Sequence, residues 1–392
     1  MTIKLSKEEL VSKISILSKI CSGCSTNPIL NTILFNVKNN TIELVAYNLE
    51  IGCCTNIKNE NNNDDEFSFT INAAFFMNCL SKAPAKSVIN MEIEKATEKV
   101  NISYNNGKVK YSTSYLPAEE FPELPTIKKS QDFTKIKVEK VIKGIDNTLY
   151  CVSSDKNFTK SPGLNISVNK EHVMFEAVDG YRLCKWETES DYDGENFDGE
   201  TESDYDGENF DAIVSKNNAK YIRDIAFKEF DKDDDVIEIT KNSKHIIFSL
   251  YNYTIISRIC FGDKFDFTNF IPKKCDTKVK INRSALESAL NCISPIIENA
   301  ARNPVIAKID ETGINLKTIS NLGKSEIFAE IIEFEGKSIN KIGFNATFMI
   351  EALKNMSVDE VEIEFTSPLS PILIYNSENR SNFAMVLPLR TK

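Results

Sequence analysis

Two patterns of apolar and polar residues take turns along the chain. Stretches such as "TIELVAYNLEIGC", "HVMFEAVDGYRLCKW", "VIEITKNSKHIIFSLYNYTIISRI", "INLKTIS" and "VEIEFTSPLSPILIYNSENRSNFAMVLPL" alternate apolar and polar positions. A period of two predicts strands with one buried face, and turn signals such as "NNG" and "NSEN" predict antiparallel hairpins. Between them, apolar residues recur at helical spacing. "IKLSKEELVSKISILSKI", "IKVEKVIKGIDNTLYCV" and "VKINRSALESALNCI", beginning at Ile3, Ile136 and Val279, each read as a short strand running into an amphipathic helix. A second set, "FTINAAFFMNCLSKA", "AIVSKNNAKYIRDIAF" and "IGFNATFMIEALKNM", offers Asn72, Asn217 and Asn345 as N-caps, because an Asn side chain accepts from the unpaired N–H groups of a first helical turn.

The two sets interleave at nearly equal intervals, which predicts three copies of one unit, each built from two similar halves. The expected fold is α+β, with three similar domains at 1–129, 130–274 and 275–392, each of two helices packed on antiparallel sheets. One interval is too long, and the excess is a copied stretch. Residues 187–211 read "ETESDYDGENFDGETESDYDGENFD", an acidic unit written twice with Gly199 at the join. It has no apolar run to offset its ordering entropy, so a solvated loop in the second domain is expected. A calcium loop needs Gly at its sixth position, whereas "DYDGENFDGETE" has Gly194 at its fourth. A tolerated insertion fits better, since loop closure grows slowly with length.

Composition narrows the chemistry. With 392 residues, 41% hydrophobic and 27% charged, the chain has ample core for two or three domains. No apolar run approaches a membrane span and the start lacks a signal-peptide pattern, so a cytosolic protein is expected. Cys79, Cys151, Cys260 and Cys292 sit among apolar neighbours, and most of the ten cysteines read as free thiols. Cys21 and Cys24 in "CSGC", with Cys53 and Cys54, are a weak zinc pattern, because adjacent cysteines serve one tetrahedral site poorly. No metal or cofactor is expected. With only His172 and His245, no "GxxxxGK" and no "GxSxG", catalytic constellations lack parts, and "DKDDDV" at 231–236 reads as a solvated turn. A net charge of −10 argues against indiscriminate coating of nucleic acid, yet leaves room for a basic face.

"TNPILNTILFNV", "SYLPAEEFPELP", "AVDGYRL" and the terminal "MVLPLR" occur in that order. Each is weak alone; together they resemble the bacterial DNA polymerase III β subunit, the sliding-clamp family, over nearly the whole chain. The resemblance implies a head-to-tail ring of two chains, with helices lining a central hole and sheets forming the outer wall. Double-stranded DNA would thread the hole, bound without regard to sequence. The clamp would do no chemistry of its own. It would tether the DNA polymerase III catalytic subunit after loading by an ATP-driven clamp loader, and would receive other polymerases and repair proteins through short peptides.

Carried over residue by residue, the peptide groove would use Leu164, Gly180, Tyr181, Arg182 and Leu183 with Met385, Leu387, Pro388, Leu389 and Arg390. Phe265 and Phe270 stand where the family has a Pro and a smaller aliphatic, which implies a narrower groove. Thr391 and Lys392 run on past the matching Arg390. DNA-facing candidates on the helices are Lys7, Lys13, Lys82, Lys140, Lys143, Lys216, Lys220, Arg223 and Arg283, any one of which could equally be the wet face of an amphipathic helix. Cys24 replaces a basic residue common in relatives, which puts a DNA contact from that loop in doubt. The dimer seam would set Tyr111 and Thr113 against Ile296 and Ile297. Two rivals remain open: an enzyme, and a repeat scaffold that binds peptides without encircling DNA.

Overall fold

The structure is a computed structural model and describes residues 1–21, 27–59, 66–125, 133–155, 158, 161–169, 171–190, 209–229, 235–297 and 304–390. Cys24, most of the acidic copy, most of "DKDDDV", Thr391 and Lys392 lie outside the described residues.

Six α-helices occur among the described residues, each entered from a strand: α1 (Lys7–Cys21), α2 (Ala73–Lys82), α3 (Val138–Thr148), α4 (Lys216–Glu229), α5 (Arg283–Ile293) and α6 (Ala346–Lys354). Each is followed by three antiparallel strands, so a strand–helix–three-strand segment occurs six times. In α1 the residues Leu10, Ile14, Leu17 and Ile20 recur at helical spacing and are fully buried. Three helices are capped by the Asn that ends the preceding strand or follows it. Asn72 accepts from the Phe75 N–H at 2.9 Å, Asn282 from Ala285 at 3.0 Å and Asn345 from Thr347 at 2.9 Å. Asn217 does not cap: α4 begins a residue earlier, and the Ser215 hydroxyl accepts from the Asn218 N–H at 3.2 Å.

The described residues gather into two compact units, one of Met1–Glu139 with Lys220–Ile259, the other of Lys140–Asp191, Glu208–Ala219 and Cys260–Lys392. The first unit holds an eight-stranded sheet, in the order 67–72, 32–38, 41–47, 51–58, 253–258, 245–250, 236–241 and 134–137. Its four-stranded sheet runs 2–6, 88–94, 99–104, 109–114. Phe35, Phe69 and Phe76 fill its core, with Phe35 stacked on Phe69 at 5.1 Å. In the second unit a nine-stranded sheet runs 210–214, 164–168, 172–178, 182–189, 383–386, 372–376, 360–365, 277–282 and 333–336. Beside it lies a four-stranded sheet in the order 323–329, 313–320, 305–310 and 339–344.

Both large sheets are two strand sets joined edge to edge. Ile51–Lys58 pairs antiparallel with Tyr253–Arg258, Gly52 opposite Ile256, and Arg182–Glu189 pairs antiparallel with Phe383–Val386. Main-chain hydrogen bonds therefore cross between stretches that the sequence assigns to successive domains. The strands Val109–Ser114 and Gly323–Ala329 each end a four-stranded sheet.

Cys53 and Cys54 are neighbours in a strand, so their side chains point to opposite faces and do not converge. Among the described residues no three His, Cys, Asp or Glu side chains gather as a metal site, and no helix is long and apolar enough to cross a membrane.

Candidate functional site

The two motifs "AVDGYRL" and "MVLPLR" meet in space. Leu183 lies opposite Met385 and Arg182 opposite Val386, and the pairing continues as the Leu387 N–H donates to the Tyr181 carbonyl at 2.9 Å. Farther on, the Leu389 N–H donates to the Gly343 carbonyl at 2.7 Å. The turn that delivers this strand explains its residues. One Asp179 carboxylate oxygen accepts from the N–H groups of Tyr181 and Arg182, both at 3.0 Å, and Gly180 adopts φ +90°, a left-handed conformation that disfavours a side chain.

Around this seam Val178, Leu183, Leu373, Phe383 and Met385 form a buried apolar cluster. Phe158, Phe265, Phe267, Ile271, Tyr375 and Leu387 pack against it while keeping part of their surface in water. Phe265 stacks on the exposed Phe270 at 5.5 Å, and Phe267 meets Phe383 edge-on at 6.1 Å. Apolar walls over a firm floor, with backbone polar groups at the margins, suit a short apolar peptide.

Not every expected groove residue belongs there. Leu164 is fully buried, as are its four neighbours in Leu164–Val168, and presents no surface to a partner. The Arg182 side chain turns inward as well. Its Nε donates to Asp179 at 2.8 Å and one Nη to the Tyr150 carbonyl at 3.0 Å, while the other Nη pairs with Glu351 of α6. Its guanidinium lies 4.3 Å from the centre of the Phe348 ring. Burial opposes its charge, but the bonds to Glu351 and Asp179 outweigh burial and raise its pKa. Gly180, Tyr181 and Arg390 are exposed, and Leu387, Pro388 and Leu389 are half-buried. Sequence reasoning missed Val178, Leu373, Tyr375 and Phe383, although the period of two in "PILIYNSENRSNFAMVLPL" sets Leu373 with Tyr375 and Phe383 with Met385.

Comparison with known proteins decides the family. Residues 1–125 match the N-terminal domain of the DNA polymerase III beta subunit, and residues 268–390 match its C-terminal domain. The chain belongs to the sliding-clamp family. A "Beta sliding clamp" of Staphylococcus epidermidis is 24% identical over 401 residues and one of Bacillus subtilis 22% over 400, each alignment covering 100% of both chains. The solved sliding clamp of Bacillus subtilis superposes with a TM-score of 0.89 at 21% identity, covering 100% of both chains. A putative beta subunit from Eubacterium rectale gives 0.87 at 23%, covering 99% of each.

Within the clamp fold the nine basic candidates part ways. Lys82, Lys143 and Lys220 are exposed. Lys13 is 8% exposed, and its ammonium lies 4.2 Å from the Tyr253 ring centre, so it is packed inward and not on the wet face. Lys7 donates to the Ala83 carbonyl, while Lys140 and Lys216 reach the carbonyls of Glu189 and Val152, each at 3.0 Å. Arg283 is held by the Val358 carbonyl at 2.7 Å and by Glu287 at 3.0 Å, and Arg223 lies beside Asp224 at 3.4 Å.

Of the clamp's seam candidates, Tyr111 and Thr113 lie half-buried on the end strand Val109–Ser114, with the Tyr111 hydroxyl 3.2 Å from that of Tyr104. Ile296 and Ile297 follow α5 in a turn that brings the Ile296 side chain near Gly323. The end strand Gly323–Ala329 lies beside them, and its neighbourhood exposes Ile319 and Leu322, each 63%, and Phe328, 50%.

Proposed function

We propose that the protein is a DNA sliding clamp: two copies close head to tail into a ring, duplex DNA passes through it, and the ring tethers a replicative polymerase by the apolar groove. The supporting observation is a rule of strand edges. In both large sheets, the last strand of one domain's first half pairs with the last strand of the next domain's second half. By that rule two strands remain, Gly323–Ala329 from a first half and Val109–Ser114 from a second half. A second copy offers each its partner, and the last junctions then match the internal ones.

Register follows from the same rule. Gly52, across its hairpin from Tyr47, pairs with Ile256, and Leu183, across from Val178, pairs with Met385. The equivalent Lys324, across from Ile319, then falls opposite Ser112 of the second copy, and Glu326 falls opposite Lys110. Opposite charges at that pair favour the register.

In this reading each chain supplies three domains, at 1–129, 130–274 and 275–392, the helices face the DNA, and Lys82, Lys143 and Lys220 give sequence-independent contact with phosphates. The clamp acts in the cytoplasm, performs no catalysis, and relies on an ATP-driven loader; other polymerases and repair proteins share the groove.

Retention on DNA tests the function. Clamp loaded on a closed circular duplex in moderate salt should stay bound, and should leave after one restriction cut. Equal, salt-sensitive binding to circular and linear DNA would overturn it in favour of a scaffold.

A further inference from the structure

The stretch from Cys260 to Ile271 carries the aromatic wall of the groove, and it leaves the sheet as a loop with only one short helical turn, Thr268–Phe270. Loops of this kind are usually loosely held. This one is anchored by a charge. Asn165 lies opposite Glu176 and Ser167 opposite Asp211, so four polar side chains share one face of neighbouring strands. Glu176 is only 7% exposed and Asn165 3%, and a carboxylate so placed is costly unless a cation and hydrogen-bond donors meet it. Lys264 meets it from the loop. Its Nζ lies 2.8 Å from Glu176 Oε2, donates to the Ser167 hydroxyl at 3.0 Å, and lies 3.6 Å from Asp211. Asn165 Nδ2 also donates to Glu176, at 3.1 Å.

The next residue along the chain is Phe265, and Phe267 follows two later; both pack on the cluster that includes Leu183, Phe383 and Met385. We propose that Lys264 is a positioning residue for the groove: its bond to buried Glu176 fixes the loop, and the fixed loop holds Phe265 and Phe267 as the aromatic wall against which an apolar peptide must lie. This rests on the reading of the groove as a peptide site and adds what sets its width. Without the anchor, a peptide would have to order the loop as it binds, and would leave faster.

The test compares the unaltered dimer with Lys264→Met and with Lys264→Met/Glu176→Gln, which removes both charges and so avoids leaving a buried carboxylate unpaired. The probe is a fluorescein-labelled synthetic peptide containing Gln, Leu and Phe, read alongside deuterium exchange of residues 260–271. The double variant should bind the peptide about tenfold more weakly, with faster dissociation. It should lose protection in 260–271 while keeping its unfolding midpoint and its retention on circular DNA. Unchanged peptide affinity and protection would overturn the proposal. If the unaltered protein fails to bind the peptide, the groove reading itself falls, and the exchange at 260–271 still reports separately whether Lys264 holds the loop.

Discussion

The ammonium of Lys13 lies 4.2 Å from the centre of the Tyr253 ring, on the buried side of α1. A lysine held this way is spent on packing, so Lys13→Met should leave the salt dependence of DNA binding unchanged and cost about 0.5–2 kcal/mol of stability. Lys82→Ala and Lys220→Ala should each lower the slope of log affinity against log salt by about one, with little effect on unfolding. Binding titrations at several salt concentrations separate the two outcomes.

Arg182 joins the groove strand to α6 through Glu351 and also holds Asp179 and the Tyr150 carbonyl. Arg182→Met strands those acceptors and should cost about 2–3 kcal/mol in urea unfolding. Arg182→Lys should recover little, because one ammonium cannot reproduce the planar fork.

Floor and rim of the groove should respond differently. Leu183 is 1% exposed, so Leu183→Ala should destabilise the fold by about 2–5 kcal/mol. Tyr181 is 63% exposed, and Tyr181→Ala should weaken peptide binding while leaving the urea midpoint in place.

Asp310 accepts from the Thr312 hydroxyl and N–H and from Lys308, which together lower its pKa to about 2. A carboxyl whose folded pKa is depressed adds stability above its unfolded pKa and loses it as pH falls through the folded one. Asp310→Asn should therefore destabilise at neutral pH, with the difference fading as pH drops from about 4 to about 2. Unfolding midpoints of both proteins across that range check the sign.

Much of this was legible in the sequence, because the repeat is written in local patterns. The period of two marked the strands, and Asn72 and Asn345 marked helix starts by a bond each makes to its own first turn. Asn217 misled because Ser215, two residues earlier, is an equally good acceptor. Lys13 misled because helical spacing cannot tell a solvated lysine from one whose stem lies along an apolar face. Arg182 finds Asp179 three residues back, but its second acidic partner Glu351, and Glu176 for Lys264, lie on distant segments that local sequence does not announce. The end strand Gly323–Ala329 stayed hidden for the same reason: an edge is defined by what fails to pair with it, which only the sheet order reveals.

Closure through the two end strands is tested most directly by a covalent lock at the seam. Ser112→Cys and Lys324→Cys, both at exposed positions, are combined in one chain with the exposed Cys275 and Cys292 changed to Ser. Ring closure in the inferred register predicts a disulfide at both seams on mild oxidation. The locked dimer should then stay on a loaded circular duplex through denaturant and slip off once the DNA is cut. Failure of the two cysteines to join, or release of the locked protein from the uncut circle, would contradict it.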